Sequence, residues 1–126
     1  MLKQLFLSAS VGGLVALASY ASLSLLLLQS THAAQTVIQK IVGARPTFDP
    51  PEITIKAGDT VQWTVMTTPG VPHHLVGDSG SDAFQATKQF DDSTSPPVTQ
   101  TFNSPGVIHY HCTFHPTMKG TLTITP

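Results

Sequence analysis

The sequence predicts an all-β chain, a β-sandwich of about seven short strands behind an N-terminal export segment. Three observations predict it. Apolar and polar residues alternate strictly in short runs such as Ile53-Thr54-Ile55-Lys56 and Val61-Gln62-Trp63-Thr64-Val65, the pattern of strands with one buried face and one wet face. Turn residues (Gly, Pro and Asp) punctuate these runs. No stretch shows helical periodicity.

The elements follow in order. Thr36 to Val42 is apolar enough for a first strand, Arg45-Pro46 ends it, and Asp49-Pro50-Pro51 is a break. Ile53, Ile55 and Ala57 mark a second strand that runs into the turn Ala57-Gly58-Asp59. Val61, Trp63 and Val65 mark a third. Thr68-Pro69-Gly70 turns the chain into a short strand, His74-Leu75-Val76. Gly77 to Pro97 reads as a long polar connection with a short turn of helix around Phe84 to Lys88. Val98, Gln100 and Phe102 share one parity. Ser104-Pro105-Gly106 then turns into a strand from Val107 to Cys112, and Gly120 to Thr125 closes the fold with Leu122 and Ile124 inward.

Ahead of the sandwich, Lys3 is followed by an uncharged apolar run from Leu5 to Leu28, which ends at Gln29-Ser30-Thr31-His32-Ala33-Ala34. A positive start, an apolar stretch and a small-residue exit read as a signal peptide over residues 1–33, with Thr31 and Ala33 before the cleavage point. The alternative is an uncleaved anchor, because a bilayer needs roughly 20 apolar residues. Only in that case does the chain meet a membrane. Either way, residues 34–126 form one exported domain.

That domain keeps five basic residues (Lys40, Arg45, Lys56, Lys88, Lys119) and all seven acidic ones. It has no basic block, which argues against nucleic acid. Its one cysteine is Cys112. Exported proteins use cysteines in disulfide pairs, so a single one is a liability, an intermolecular link or a ligand.

The surroundings of Cys112 favour a ligand. The chain reads Tyr110-His111-Cys112-Thr113-Phe114-His115-Pro116-Thr117-Met118, a thiolate, an imidazole and a thioether at three-residue spacing. A further imidazole is available upstream at Pro72-His73-His74. Two His, one Cys and a weak axial Met make up the donor set of a blue-copper electron-transfer site. Zinc is the main competitor, but a structural zinc site offers more Cys or His donors and no Met. In the strand ending at Cys112, parity puts Ile108 and Tyr110 on the cysteine's face and His109 and His111 on the other, as surface imidazoles. His115 lies past that strand in a loop that folds back over Cys112 and is stiffened by Pro116.

These residues carry a resemblance. The segment Phe48-Asp49-Pro50, the run from Ile53 through Lys56-Ala57-Gly58-Asp59 to Trp63, Pro72-His73, Phe102 through Pro105-Gly106, Tyr110 to His115, and Met118-Lys119-Gly120 together resemble a cupredoxin, a blue-copper protein of the plastocyanin and amicyanin kind. The short gap between His115 and Met118 is more similar to amicyanin. The resemblance implies a Greek-key cupredoxin-like sandwich over residues 34–126. It also implies one type 1 copper ion held by His73, Cys112, His115 and axial Met118, with His73 chosen over His74 because the family's ligand follows the proline. The family often has Asn after that first ligand, where it ties the two ligand loops, and here the position is His74. By the same resemblance His115 lies near an apolar surface, with Phe114, Pro116 and Pro72 beside it.

The function expected is a one-electron carrier, not an enzyme, since copper oxidases and reductases need further copper centres and more histidines. The alternative is a copper-binding protein for copper trafficking or resistance. The expected partners are redox proteins met by transient docking, with the chain itself a monomer. The expected location is outside the cytoplasm, in a periplasm or a thylakoid lumen.

Overall fold

The computed structural model describes residues 31–78 and 83–126, and the sandwich falls within the compact unit Ala33–Pro126. The expected signal segment, 1–33, lies almost wholly outside the described residues. Among the described residues, eight strands form two sheets. They are β1 (Thr36–Val42), β2 (Thr47–Asp49), β3 (Glu52–Lys56), β4 (Thr60–Met66), β5 (Leu75–Gly77), β6 (Val98–Thr101), β7 (Gly106–Cys112) and β8 (His115–Thr125). One sheet has the order β2-β1-β4-β6 and the other β3-β8-β7-β5. The pairs β1–β4 and β3–β8 are parallel. The fold is the all-β sandwich expected.

Alternation decides what each strand buries. Ile53 and Ile55, Val61 and Trp63, Ile108, Tyr110 and Cys112, and Leu122 and Ile124 all point into one shared core. Their polar neighbours face water, because successive side chains leave a strand on opposite faces.

The structure departs from the sequence reading in three places. A short strand, β2, stands where a break is expected, and its central Phe48 is buried. Pro46 and Pro50 flank it and mask the signal. The last strand begins at His115, five residues before the expected Gly120, because Lys119 and Gly120 continue the pairing with His111 and Tyr110. The connection after β5 holds no helix over residues 83–97. Instead it sends Phe84 and Phe90 into the core.

A buried amide knits the two sheets. Gln39 on β1 is fully buried. Its Oε1 accepts from Trp63 Nε1–H at 2.9 Å and from the Tyr110 hydroxyl, and its Nε2 donates to Pro50 O at 2.7 Å. Trp and Tyr need such a partner when their polar tips are buried. Burial pushes the Tyr110 phenol up to about 12, so it stays protonated and donates. At the far end of the sandwich, the buried Asp59 carboxylate accepts from Gln35 N–H at 2.8 Å and Lys56 N–H at 2.9 Å, joining the β3–β4 turn to the start of β1.

The Tyr110 ring lies against Gly120, its partner across β7 and β8. A Cβ on Gly120 would sit 2.5 Å from Tyr110 Cζ. The ring has nowhere to go: Phe48 and Phe84 each stand 5.0 Å from its centroid, and the hydroxyl is tied to Gln39. Gly120→Ala is therefore expected to cost about 1–3 kcal/mol of stability through overpacking. Denaturant unfolding of the metal-free protein measures it, and an unchanged midpoint would show that the ring has room to move.

Candidate metal centre

The site grows from the end of β7. Cys112 is that strand's last residue, is fully buried, and forms no disulfide. Leu75 of β5 pairs with it on one side and His115 of β8 on the other. Only Thr113 and Phe114 separate Cys112 from His115, so the reversal places the imidazole across from the thiol. The register then jumps. His111 pairs with Lys119, but Cys112 pairs with His115. Residues 116–118 of β8 therefore bulge opposite a single step of β7, and Met118 turns inward and is fully buried.

The third donor comes from far upstream. His73, just before β5, is fully buried. Its Nδ1 lies 3.9 Å from Cys112 Sγ, and His115 Nδ1 lies 3.5 Å from the same sulfur. The two imidazole centroids are 5.2 Å apart. The donor atoms of His73, Cys112 and His115 all lie within 4.8 Å of one another, the one such grouping among the described residues. Both sulfur–nitrogen distances are below twice the bond length of about 2.0–2.3 Å usual for His and Cys ligands of a metal such as zinc. Two nitrogen donors and one soft sulfur, converging from three directions, fit a copper ion.

Electrostatics prepare this set for a cation. Burial, reinforced by the nearby His115 and partly opposed by Asp91, lowers the His73 pKa from 6.5 to about 4. Its imidazole is neutral near pH 7, so a nitrogen lone pair is free to bind.

The histidines are placed differently. The donor atom of His73 lies in the grouping with Cys112 and His115, and that of its neighbour His74 does not. His74 instead ties the segment before β5 to the β7–β8 reversal: its Nδ1 is 3.0 Å from Thr113 Oγ1, its O accepts from Thr113 N–H at 2.9 Å, and its N–H points at Cys112 Sγ at 3.5 Å. The position where the resemblance leads one to expect Asn carries His74, and His74 makes this tie. His109 and His111 lie on the opposite face of β7, with His109 Nδ1 3.2 Å from Thr121 Oγ1 and His111 Nδ1 2.6 Å from Asp78 Oδ1. Sequence reasoning missed Gln39, although its parity with Val37 and Ile41 was a signal. It also missed the inward Phe84 and Phe90, whose polar neighbours follow no period.

Comparisons with known proteins agree with this geometry. The profile of copper-binding proteins of the plastocyanin/azurin family matches residues 35–125. The chain is 32% identical over 123 residues to amicyanin-alpha of Methylorubrum extorquens, covering 98% of this chain and 99% of that one. It is 34% identical over 124 residues to a plastocyanin of a Synechococcus species, covering 90% and 83% respectively. Among solved structures it is similar to a proline-to-phenylalanine variant of reduced amicyanin, at 28% identity and a TM-score of 0.57, covering 76% of this chain and 86% of that one.

Two outcomes test this geometry. Replacing both His109 and His111 by Gln is expected to leave copper stoichiometry and the visible spectrum unchanged. Loss of copper would mean that the faces of β7 are exchanged, as a one-residue slip would do. In the metal-free protein, His73 titrates near 4 when folded and near 6.5 when unfolded. Between those values the unfolded chain binds the extra proton. Stability is therefore expected to fall as pH is lowered from about 6.5 toward about 4 and to level off below. His73→Asn should flatten that part of the profile, as read by thermal unfolding across pH.

Proposed function

The chain belongs to the copper-binding plastocyanin/azurin family, and from that premise we propose that it is an exported type 1 copper protein that carries single electrons between redox partners. One observation carries the reading. Two imidazole nitrogens converge on one fully buried cysteine sulfur, at 3.5 and 3.9 Å. In this reading His73, Cys112 and His115 are the strong ligands and the buried Met118 is the weak axial one.

Copper, when bound, supplies a one-electron couple. The residues do the rest. Cys112 offers a soft sulfur in a dry setting, and the His74 N–H aimed at that sulfur moderates its donation. The tie among His74, Thr113 and Cys112 fixes the ligand loops relative to each other, which keeps the geometry similar in both oxidation states. His115 is the ligand that reaches the surface, since Cys112 and His73 are fully buried. It opens onto a cavity of about 370 Å³, lined also by Arg45, Val71, Phe114 and Pro116. Phe114 there is 48% exposed. A partner docked on this shallow apolar face would stand close to His115. A small interface of this kind suits rapid, reversible exchange. The burial of two of the three strong donors favours a resident ion over a cargo passed to partners. Export follows the signal-like residues 1–33, to a periplasm or a thylakoid lumen.

The oxidised, copper-loaded protein is expected to be intensely blue with one copper per chain, and Cys112→Ser should abolish the band. A variant that kept the band would overturn the ligand assignment. His74→Asn should keep the blue centre, whereas His73→Gly should open it; the reverse pattern would transfer the role to His74. Met118→Gln should keep a coloured site and lower the reduction potential in voltammetry, because an amide oxygen stabilises Cu(II) better than a thioether does. An unchanged or higher potential would remove Met118 from the axial position.

A further inference from the structure

The connection between β5 and β6 belongs to no regular element over residues 83–97 apart from one bridge, yet it is fastened along the segment that carries His73 into β5. From Thr87 to Asp92 it runs antiparallel to residues 70–75, held at three points. Thr87 N–H donates to Leu75 O at 3.0 Å, and Leu75 N–H donates to Thr87 Oγ1 at 2.9 Å. Phe90 and His73 exchange backbone hydrogen bonds in both directions, at 2.8 and 2.9 Å. Gly70 N–H donates to Asp92 Oδ1 at 2.7 Å. The middle fastening falls on His73 itself.

A second observation gives that fastening its meaning. A histidine that ligates a metal through one ring nitrogen usually donates the other N–H to an acceptor, and that bond fixes the ring's rotation. His73 turns its Nδ1 to Cys112, while its Nε2 is buried and has no hydrogen-bond partner among the described residues. No such bond holds the ring. What stands beside the ring is His115 on one side, at 5.2 Å between centroids, and the buried Phe90, at 5.8 Å and 44°. Packed side chains resist displacement because interiors are as dense as organic crystals.

We propose that Phe90 is a positioning residue: its ring and its backbone pairing hold the His73 imidazole in the orientation that presents Nδ1 to the metal, in place of the missing hydrogen bond. The inference rests on the reading of His73 as a ligand. Phe84 supplies the contrast. It lies in the same connection and is equally buried, but it packs on Trp63, Phe102 and Tyr110, and no ring contact joins it to His73.

The test uses the copper-loaded protein with Phe90→Leu, Phe90→Ala, Phe84→Ala and His73→Gly, read by copper stoichiometry, the visible thiolate absorption and the electron paramagnetic resonance of the oxidised form. Phe90→Leu and Phe90→Ala should retain one copper but show a graded loss of the blue signature, larger for Ala. Phe84→Ala should destabilise the fold and leave that signature unchanged. Should Phe90→Ala fail to fold, Phe90→Leu decides. A wild-type spectrum in the Phe90 variants would overturn the proposal, and so would an equal spectral change in Phe84→Ala. If His73→Gly alone keeps the wild-type spectrum, the ligand reading of His73 fails instead, whatever the Phe90 variants show.

Discussion

Cys112 and His115 face each other across a reversal of two residues, Thr113 and Phe114, and the remainder of the site is arranged around that constraint. Because the reversal is so short, two donors are placed by one hairpin. The jump in register just beyond it folds residues 116–118 against a single step of β7 and turns Met118 inward. Only one strong donor then has to be delivered from elsewhere. His73 arrives through the pairing of Leu75 with Cys112 and is held by the Thr113–His74 tie on one side and by the Phe90 bridge on the other.

The core and the site share the same strand face. Ile108, Tyr110 and Cys112 alternate inward along β7, so whatever fixes Tyr110 also sets the approach of Cys112. Gln39 fixes Tyr110 and Trp63 together and links both to Pro50. This network is fully satisfied, which is the condition under which buried polar groups rigidify a core. Gly120 leaves the space that the Tyr110 ring occupies. A rigid floor of this kind suits an electron-transfer site, because a ligand set that moves little between oxidation states keeps the barrier to exchange low.

Burial also divides the labour among the donors. His73 and Cys112 are sealed, while His115 is half-buried beside an exposed Phe114. Of the three grouped side chains, His115 alone connects the interior to the surface. The same burial depresses the His73 pKa to about 4, so competition from protons at that nitrogen is weak near neutral pH.

Much of this was legible in the residues themselves. Strict alternation located β3 and β4, and parity told inward Tyr110 and Cys112 on β7 from outward His109 and His111, because parity is a local property of an extended chain. The spacing of Cys112, His115 and Met118 marked them as candidate donors for the same reason: they lie close together along the chain. The tertiary structure decided what depends on residues distant in sequence. It paired His73 with Phe90 and His74 with Thr113, gave Gln39 its partners Trp63 and Tyr110, and drew Phe84 and Phe90 into the core from a segment that reads as a polar loop. It also began β8 at His115, since the pairing of Lys119 and Gly120 with β7 outweighs their weak strand preference. Local pattern specifies which way a side chain points. Only the packing of remote segments specifies what it meets there.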